Sequence, residues 1–203
     1  MPDHVPFVGL TGGMGSGKST ALAALERLGA AVLSSDAVVH ELYEHDEQLR
    51  DAVVERWGEQ VAPGGVVDRS AVAKQAFAGA EERAWLESLL WPMVGARVAA
   101  WLTEARADPA AGSDPPRAAI VEVPLLFEAG LEGLYDATIA VISDEVLRQE
   151  RASARGHALA DERSARQLSQ QEKAQRATYV VRNDGTVQEL EQELSAVLDK
   201  LEA

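Results

Sequence analysis

Gly12-Gly13-Met14-Gly15-Ser16-Gly17-Lys18-Ser19-Thr20 fits the phosphate-binding pattern G-x-x-x-x-G-K-[ST], and its setting decides the fold. Phe7-Val8-Gly9-Leu10 before it reads as a short buried strand, and Thr20 to Leu28 after it reads as a helix. Strand, glycine turn and helix are the geometry a phosphate needs. Glycines allow positive φ angles that turn several N–H groups inward, and the helix N-terminus adds partial positive charge at the same point. Lys18 is then placed to reach the β- and γ-phosphates, and the Ser19 hydroxyl to ligate Mg²⁺. The bland alternative is a turn that merely joins a strand to a helix, but chance matches seldom carry both flanks.

Beyond this first helix, Gly29 is placed as its C-terminal stop, and Ala30-Ala31-Val32-Leu33 reads as a second buried strand ending at Ser34-Ser35-Asp36. Ligands of open parallel sheets sit beyond the carboxyl ends of the strands, so Asp36 is expected on the same rim as the loop. A carboxylate there can accept a proton from an attacking hydroxyl. It can equally cap a helix running from Ala37 through Leu42, and the two roles are compatible.

From Asp46 to about Ala107 the pattern is helical. Leu49, Val53, Val54 and Trp57 form one apolar stripe ending at Gly58, and Asp68 opens a short helix with Val72, Ala76 and Phe77. Trp85, Leu86, Leu89 and Leu90 form another stripe, interrupted by Pro92, after which Val94, Val98, Trp101 and Leu102 continue. Helices inserted between the second and third strands predict a separate acceptor-binding lobe. Its tryptophans read as core rather than as a ligand platform.

Asp108 to Pro116 has no large apolar residue and two clusters of turn formers, so an exposed connection is expected. Ala118 to Phe127 then reads as a strongly apolar strand with Glu122 near its end, an acid that could hold water on Mg²⁺, meet an acceptor, or be a solvated edge carboxylate. Tyr135 to Ile142 is a fourth strand. Arg148, Arg151 and Arg155 follow at i, i+3 and i+7, on one face of a helix. Glu145 and Glu150 could pair with them on a solvated surface, or the stretch is a lid that closes over a triphosphate. Thr178 to Val181 is a fifth strand, Asn183-Asp184-Gly185 a turn, and Thr186 with Glu189 a capping box opening a last amphipathic helix with Val187, Leu190, Leu194, Val197, Leu198 and Leu201. Parallel strands alternating with helices place the chain in the α/β class.

Composition narrows the function. The 203 residues carry a net charge of −14, which argues against a nucleic-acid partner, yet seven of the fifteen arginines (Arg148, Arg151, Arg155, Arg163, Arg166, Arg176 and Arg182) fall in one stretch. Attraction for a polyanion is therefore local. Cysteine is absent, which removes disulfides and thiolate chemistry, and the four histidines are scattered, which argues against zinc. No apolar run approaches a membrane span, and Met1-Pro2-Asp3-His4 has no basic region to start a signal peptide, so a cytosolic protein, monomeric and without membrane partners, is expected.

Among phosphate-loop proteins, GTPases need [NT]-K-x-D, whereas the four lysines here follow Gly17, Ala73, Glu172 and Asp199, and no D-x-x-G occurs. A mechanical ATPase would need a partner surface, and a nucleotide kinase would share loop and lid with a smaller acceptor. A small kinase needs only loop, acceptor lobe and lid. Gly9 through Thr20, Val123-Pro124-Leu125-Leu126-Phe127-Glu128, and Gln171-Glu172-Lys173 followed by Ala177 and Asn183-x-Gly185 together resemble the dephospho-coenzyme A kinase family over nearly the entire chain.

That resemblance implies a three-layer phosphate-loop kinase fold with core 5–36, 117–143 and 176–203, a helical acceptor-binding insertion over 37–108 and an arginine-bearing lid over 144–175. It implies transfer of the γ-phosphate of ATP to the ribose 3′-hydroxyl of dephospho-coenzyme A with Mg²⁺. Asp36 would be the general base, with Lys18, Arg151 and Arg155 acting on the phosphoryl group. Nucleotide contacts are implied at Gly13, Met14, Gly15, Ser16, Gly17, Lys18, Ser19, Thr20, Arg155, Asn183 and Gly185, Mg²⁺ on Ser19, and acceptor contacts at Thr11, Asp36, Pro124, Leu125, Glu128 and Arg163. The chain departs from the family at Ser34, usually an acid, and at Trp91-Pro92, usually His-Pro. Its lid is about three residues short, so either Arg163 with Gln167 or Arg166 with Gln170 takes the R-x-x-x-Q position; the distance to Lys173 fits the former.

Overall fold

Short apolar runs separated by helices assemble, in a computed structural model that describes residues 5–107, 114–154 and 167–203, into a five-stranded sheet of order β2-β3-β1-β4-β5 with every neighbouring pair parallel. The strands are β1 (Phe7–Gly12), β2 (Ala31–Ser34), β3 (Ala119–Glu122), β4 (Ala137–Ile142) and β5 (Tyr179–Arg182). Around them run α1 (Lys18–Arg27), α2 (Ser35–His45), α3 (Glu47–Trp57), α4 (Arg69–Ala76), α5 (Ala80–Ala105), α6 (Glu145–Ala154), α7 (Gln170–Arg176) and α8 (Val187–Leu201). The chain divides into two compact units, residues 1–34 with 102–203, and residues 35–101.

In the first unit the period-two alternation of the strands sorts side chains to two faces. Val8, Leu10, Ile120, Ile139 and Val141 join Ala21, Ala24 and Leu25 of α1 and Leu190, Leu194, Val197 and Leu198 of α8 in one buried cluster. On the opposite face Gly9 lies where any Cβ would collide with Leu126 and crowd Tyr135. Both faces are covered, which explains why these strands read as near-continuous apolar runs rather than as alternating ones. The capping signals hold: Gly29 is left-handed (φ 91°), and Thr186 and Glu189 make the reciprocal capping box of α8.

Two expected boundaries are corrected. The apolar run from Ala118 to Phe127 is strand only through Glu122; residues 124–130 turn instead, because Pro124 has no N–H to extend the ladder and Leu126 and Phe127 bury in the turn itself. The interruption expected at Pro92 is absent, since α5 continues through it for 26 residues. A proline removes the bond to the carbonyl four residues back, that of Ser88, and its ring crowds that oxygen; both residues are exposed, so the carbonyl can tilt outward and bond to water.

The second unit starts at Ser35 and ends at Trp101, against an expected insertion of 37–108. Asp46 caps α3 by accepting from Leu49 N–H at 3.0 Å, and Asp68 caps α4 by accepting from Ser70 and Ala71 N–H. Trp57 and Trp85 meet edge to face at 5.0 Å, and Trp57 Nε1 donates to Glu82 at 2.6 Å. The Arg56 hydrogen bond, with that of Trp57, holds the Glu82 carboxyl below the usual carboxylate range. These two tryptophans are structural, as expected; Trp91 is not, being 57% exposed on α5. The last turn of α5 belongs to the first unit, where Arg106 donates to the Val5 carbonyl and pairs with Asp136.

Candidate active site

The loop between β1 and α1 is built to present backbone donors. Gly15 and Gly17 hold φ of 77° and 90°, in the left-handed region an L side chain rarely adopts. Gly17 is also the N-cap of α1, with no side-chain cap and no acidic residue in the first turn. Ala21 N–H is the first to find an intrahelical partner, Gly17 O at 3.0 Å, so the amides of Lys18, Ser19 and Thr20 stand at the positive end of the helix without an intrahelical acceptor. Ser16 is fully buried, and its hydroxyl has no hydrogen-bond partner among the described residues. A buried hydroxyl with no partner among the described residues is a cost that an anion in the loop would remove, and the helix end beside it favours negative charge.

Lys18 Nζ meanwhile donates to the carbonyls of Gly12 and Gly13, both at 3.0 Å, and the Ser19 side chain is exposed at the second position of α1. Among the described residues no group of three or more His, Asp or Glu is placed to hold a metal ion. A divalent cation here would lean on one hydroxyl and on ligand oxygens, as Mg²⁺ beside a triphosphate does.

Two further segments close on the loop. α6 brings Arg148, whose Nη1 donates to Met14 O at 3.2 Å while Nε and Nη2 hold Glu145 and keep its carboxyl below the usual range. Its backbone carbonyl lies where a Cβ on Gly15 would collide with it. Arg151, one turn on, donates from Nη1 to Asn183 O at 3.0 Å, and Asn183 Nδ2 donates to Ser16 O at 2.9 Å. The turn after β5, the loop and the first part of the arginine stretch therefore form one hydrogen-bonded set. A Cβ on Gly17 would strike Asn183 Nδ2. Gly185 lies exposed in the same turn.

α7 closes the other side. Gln170 clamps Ser143, accepting from its N–H at 2.9 Å and donating to its carbonyl at 3.0 Å, while its Cγ lies 3.2 Å from where a Cβ on Gly13 would be. Lys173, with no solvent exposure, donates to Pro124 O at 2.7 Å, to Thr11 Oγ1 at 3.3 Å and to Glu128, whose Oε1 is 2.9 Å away. Burial pulls its ammonium below the usual lysine range, and the hydrogen bond to Glu128 opposes that shift. Thr11 Oγ1 itself donates to Pro124 O at 3.3 Å, and Leu125 is half-buried in the same turn.

The expected residues thus divide. Thr11, Gly13 to Thr20, Pro124, Leu125, Glu128, Arg151, Asn183 and Gly185 all belong to the first unit, around the ends of β1, β3 and β5. Asp36 belongs to the second, exposed in the first turn of α2, two residues along the chain from the end of β2. The helix it was expected to cap begins before it, at Ser35, so its carboxylate lies within the positive end of α2 rather than ahead of it. Ser34 is level in register with Glu122 of β3, which is buried. Arg155, Arg163 and Arg166 lie outside the described residues, and with them the R-x-x-x-Q alternatives; of the two glutamines, Gln170 is the one clamped on Ser143. The contacts of Lys173 and Gln170 are not among the sequence expectations; the pairing of Arg148 with Glu145 is, but its bond to Met14 O is not. Ser169-Gln170-Gln171-Glu172, a capping box that opens α7, is the local signal that could have located the first two.

Among the described residues no helix is long and apolar enough to cross a membrane. The family model for dephospho-CoA kinase matches residues 6–189. A dephospho-CoA kinase of Deinococcus radiodurans is 38% identical over 99% of this chain and 95% of its own length. A solved Thermus thermophilus structure superposes with a TM-score of 0.78 at 33% identity, covering 98% of this chain and 99% of that one. The dephospho-CoA kinase structure from Campylobacter jejuni, at 21% identity and a TM-score of 0.61 over 97% of each chain, shares the fold. With a donor-lined loop between β1 and α1, α6 and the turn after β5 hydrogen-bonded to it and a family match along nearly its whole length, the chain belongs to the dephospho-CoA kinase family.

Proposed function

We propose that the protein transfers the γ-phosphoryl group of ATP to the ribose 3′-hydroxyl of dephospho-coenzyme A, giving coenzyme A and ADP, and works as a monomer in the cytoplasm. The observation that carries this reading is the loop at the start of α1, where the positive helix end and the buried Ser16 hydroxyl, which has no hydrogen-bond partner among the described residues, suit an anion. Phosphoryl transfer asks little covalent work of a protein, so position and charge provide the rate. The loop amides and Lys18 hold the β- and γ-phosphate oxygens, for which Lys18 exchanges its two carbonyl contacts. Mg²⁺, held by the Ser19 hydroxyl, would supply charge neutralisation between those phosphates. Arg151 and Arg155 face the transferring group, Asn183 and Gly185 meet the adenine, and Asp36 accepts the proton of the acceptor hydroxyl as attack proceeds in line. Thr11, Pro124, Leu125, Glu128 and Arg163 border the acceptor.

The test is a coupled ADP-release assay with ATP and Mg²⁺ against dephospho-coenzyme A, nucleoside monophosphates and adenosine. ADP release dependent on dephospho-coenzyme A is expected. Equal turnover of a nucleoside monophosphate would reassign the acceptor, and hydrolysis as fast without any acceptor would replace kinase by ATPase.

A further inference from the structure

Lys173 is the one charged side chain among the largest fully buried residues described. An ammonium offers three donors. Here they serve Thr11 Oγ1, Pro124 O and Glu128, so the group is saturated inside the protein and has no donor left for a phosphate. Burying a charge is expensive even when it is paired, and a packed apolar side chain would fill the space at less cost. What the lysine provides instead is connection.

Its acceptors lie on two segments distant in sequence from α7. Thr11 is the penultimate residue of β1, directly before the phosphate loop, and Pro124 and Glu128 bound the turn that follows β3. Glu128 is held a second time, because its Oε1 accepts the Leu168 N–H at 2.8 Å just ahead of α7. Arg176, one turn beyond Lys173, adds a bond to Phe127 O at 3.2 Å. The 124–128 turn is therefore fastened to α7 at Pro124, Phe127 and Glu128. The capping box of Ser169 and Glu172 in turn fixes where α7 starts.

We infer that Lys173 is a positioning residue that sets the 124–128 turn and the Thr11 hydroxyl for the acceptor, acting through Glu128 and without itself touching either substrate. This rests on the kinase reading above, in which that turn borders the acceptor. Ammonium and carboxylate act as one unit, so their effects on acceptor binding are coupled.

The test is a double-mutant cycle of Lys173→Met and Glu128→Gln, with KM measured separately for acceptor and ATP on variants whose melting curves show them folded at the assay temperature. Lys173→Met is expected to raise the acceptor KM about tenfold and leave the ATP KM within about threefold, with the double variant no worse than the poorer single one. Effects that multiply in the double variant, KM values that rise together, or wild-type values for both would each overturn the proposal. Should Lys173→Met not fold, Lys173→Arg keeps the charge but offers a planar fork in place of three tetrahedral donors. It carries the same expectation, and a wild-type acceptor KM in it overturns the proposal equally. All KM comparisons use whichever acceptor the wild type turns over, so inactivity on dephospho-coenzyme A counts against the assigned acceptor and the KM pattern alone decides Lys173.

Discussion

Gly17→Ala separates backbone strain from crowding in the phosphate loop. A side chain at φ 90° and ψ 27° costs about 1–2 kcal/mol, because Cβ approaches the neighbouring carbonyl in the left-handed region. The new methyl group also strikes Nδ2 of Asn183, which is 7% exposed and donates to Ser16 O at 2.9 Å. Displacing it breaks a buried hydrogen bond at about 1–3 kcal/mol, for a total of roughly 2–5 kcal/mol. Gly64→Ala supplies the strain alone, since Gly64 has φ 69° and ψ 19° and open space around its missing Cβ. The two variants should therefore differ by about 1–3 kcal/mol, or roughly 2–12 °C in melting temperature. Urea unfolding by far-ultraviolet circular dichroism reads both compact units, whereas tryptophan fluorescence follows only residues 35–101, which contain all four tryptophans and Gly64. ATP titration should show affinity lost in Gly17→Ala and kept in Gly64→Ala. Equal destabilisation of the two, or wild-type ATP affinity in Gly17→Ala, would refute the claim that Asn183 braces the loop.

Lys18→Ala should lower turnover by about 10²-fold or more in protein that its melting curve shows to be folded at the assay temperature, and turnover within threefold of wild type would remove Lys18 from the phosphate path. Asp36→Asn should lower turnover by at least about 10²-fold while ATP affinity by calorimetry stays within about threefold; loss of folding instead would assign the carboxylate to the first turn of α2. Burial pushes the Tyr135 phenol from its ordinary value of 10 up to about 12. In the unfolded chain the phenol ionises first, so the unfolded state binds fewer protons between pH 10 and pH 12, and the stability Tyr135 contributes is complete below pH 10 and lost as pH rises towards 12. Absorbance at alkaline pH should show a late-titrating phenol that Tyr135→Phe removes, and the same substitution should flatten that part of the stability curve.

The parts of the fold readable from sequence are those set by neighbours along the chain. The strand, loop and helix around Gly12 to Thr20, the Asp68 cap, the Thr186 and Glu189 box and the stop at Gly29 each depend on a few consecutive residues. The end of β3 is hidden from periodicity, because Val123 to Phe127 is as apolar as the strand before it; Pro124 is the one local sign that the ladder stops, and it is outweighed by the apolar run around it. Arginine direction was equally hidden. Arg148 and Arg151 read either as cations for a phosphate or as partners of Glu145 and Glu150, and Arg148 does hold Glu145, yet the two also donate to the carbonyls of Met14 and Asn183, acceptors that a sequence does not reveal. The Lys173 cluster unites residues up to 162 positions apart, so only the capping box beside it left a local trace.

The strand order carries a consequence for synthesis on the ribosome. β1 pairs only with β3 and β4, and β2 only with β3, so neither early strand has a ladder partner until Ala119 to Glu122 has emerged. At about 5–20 residues per second the nascent chain carries two apolar strands unpaired for several seconds, while the helices of residues 35–101 already have their own contacts at hand. During that interval the future centre of the sheet is the segment a chaperone would find.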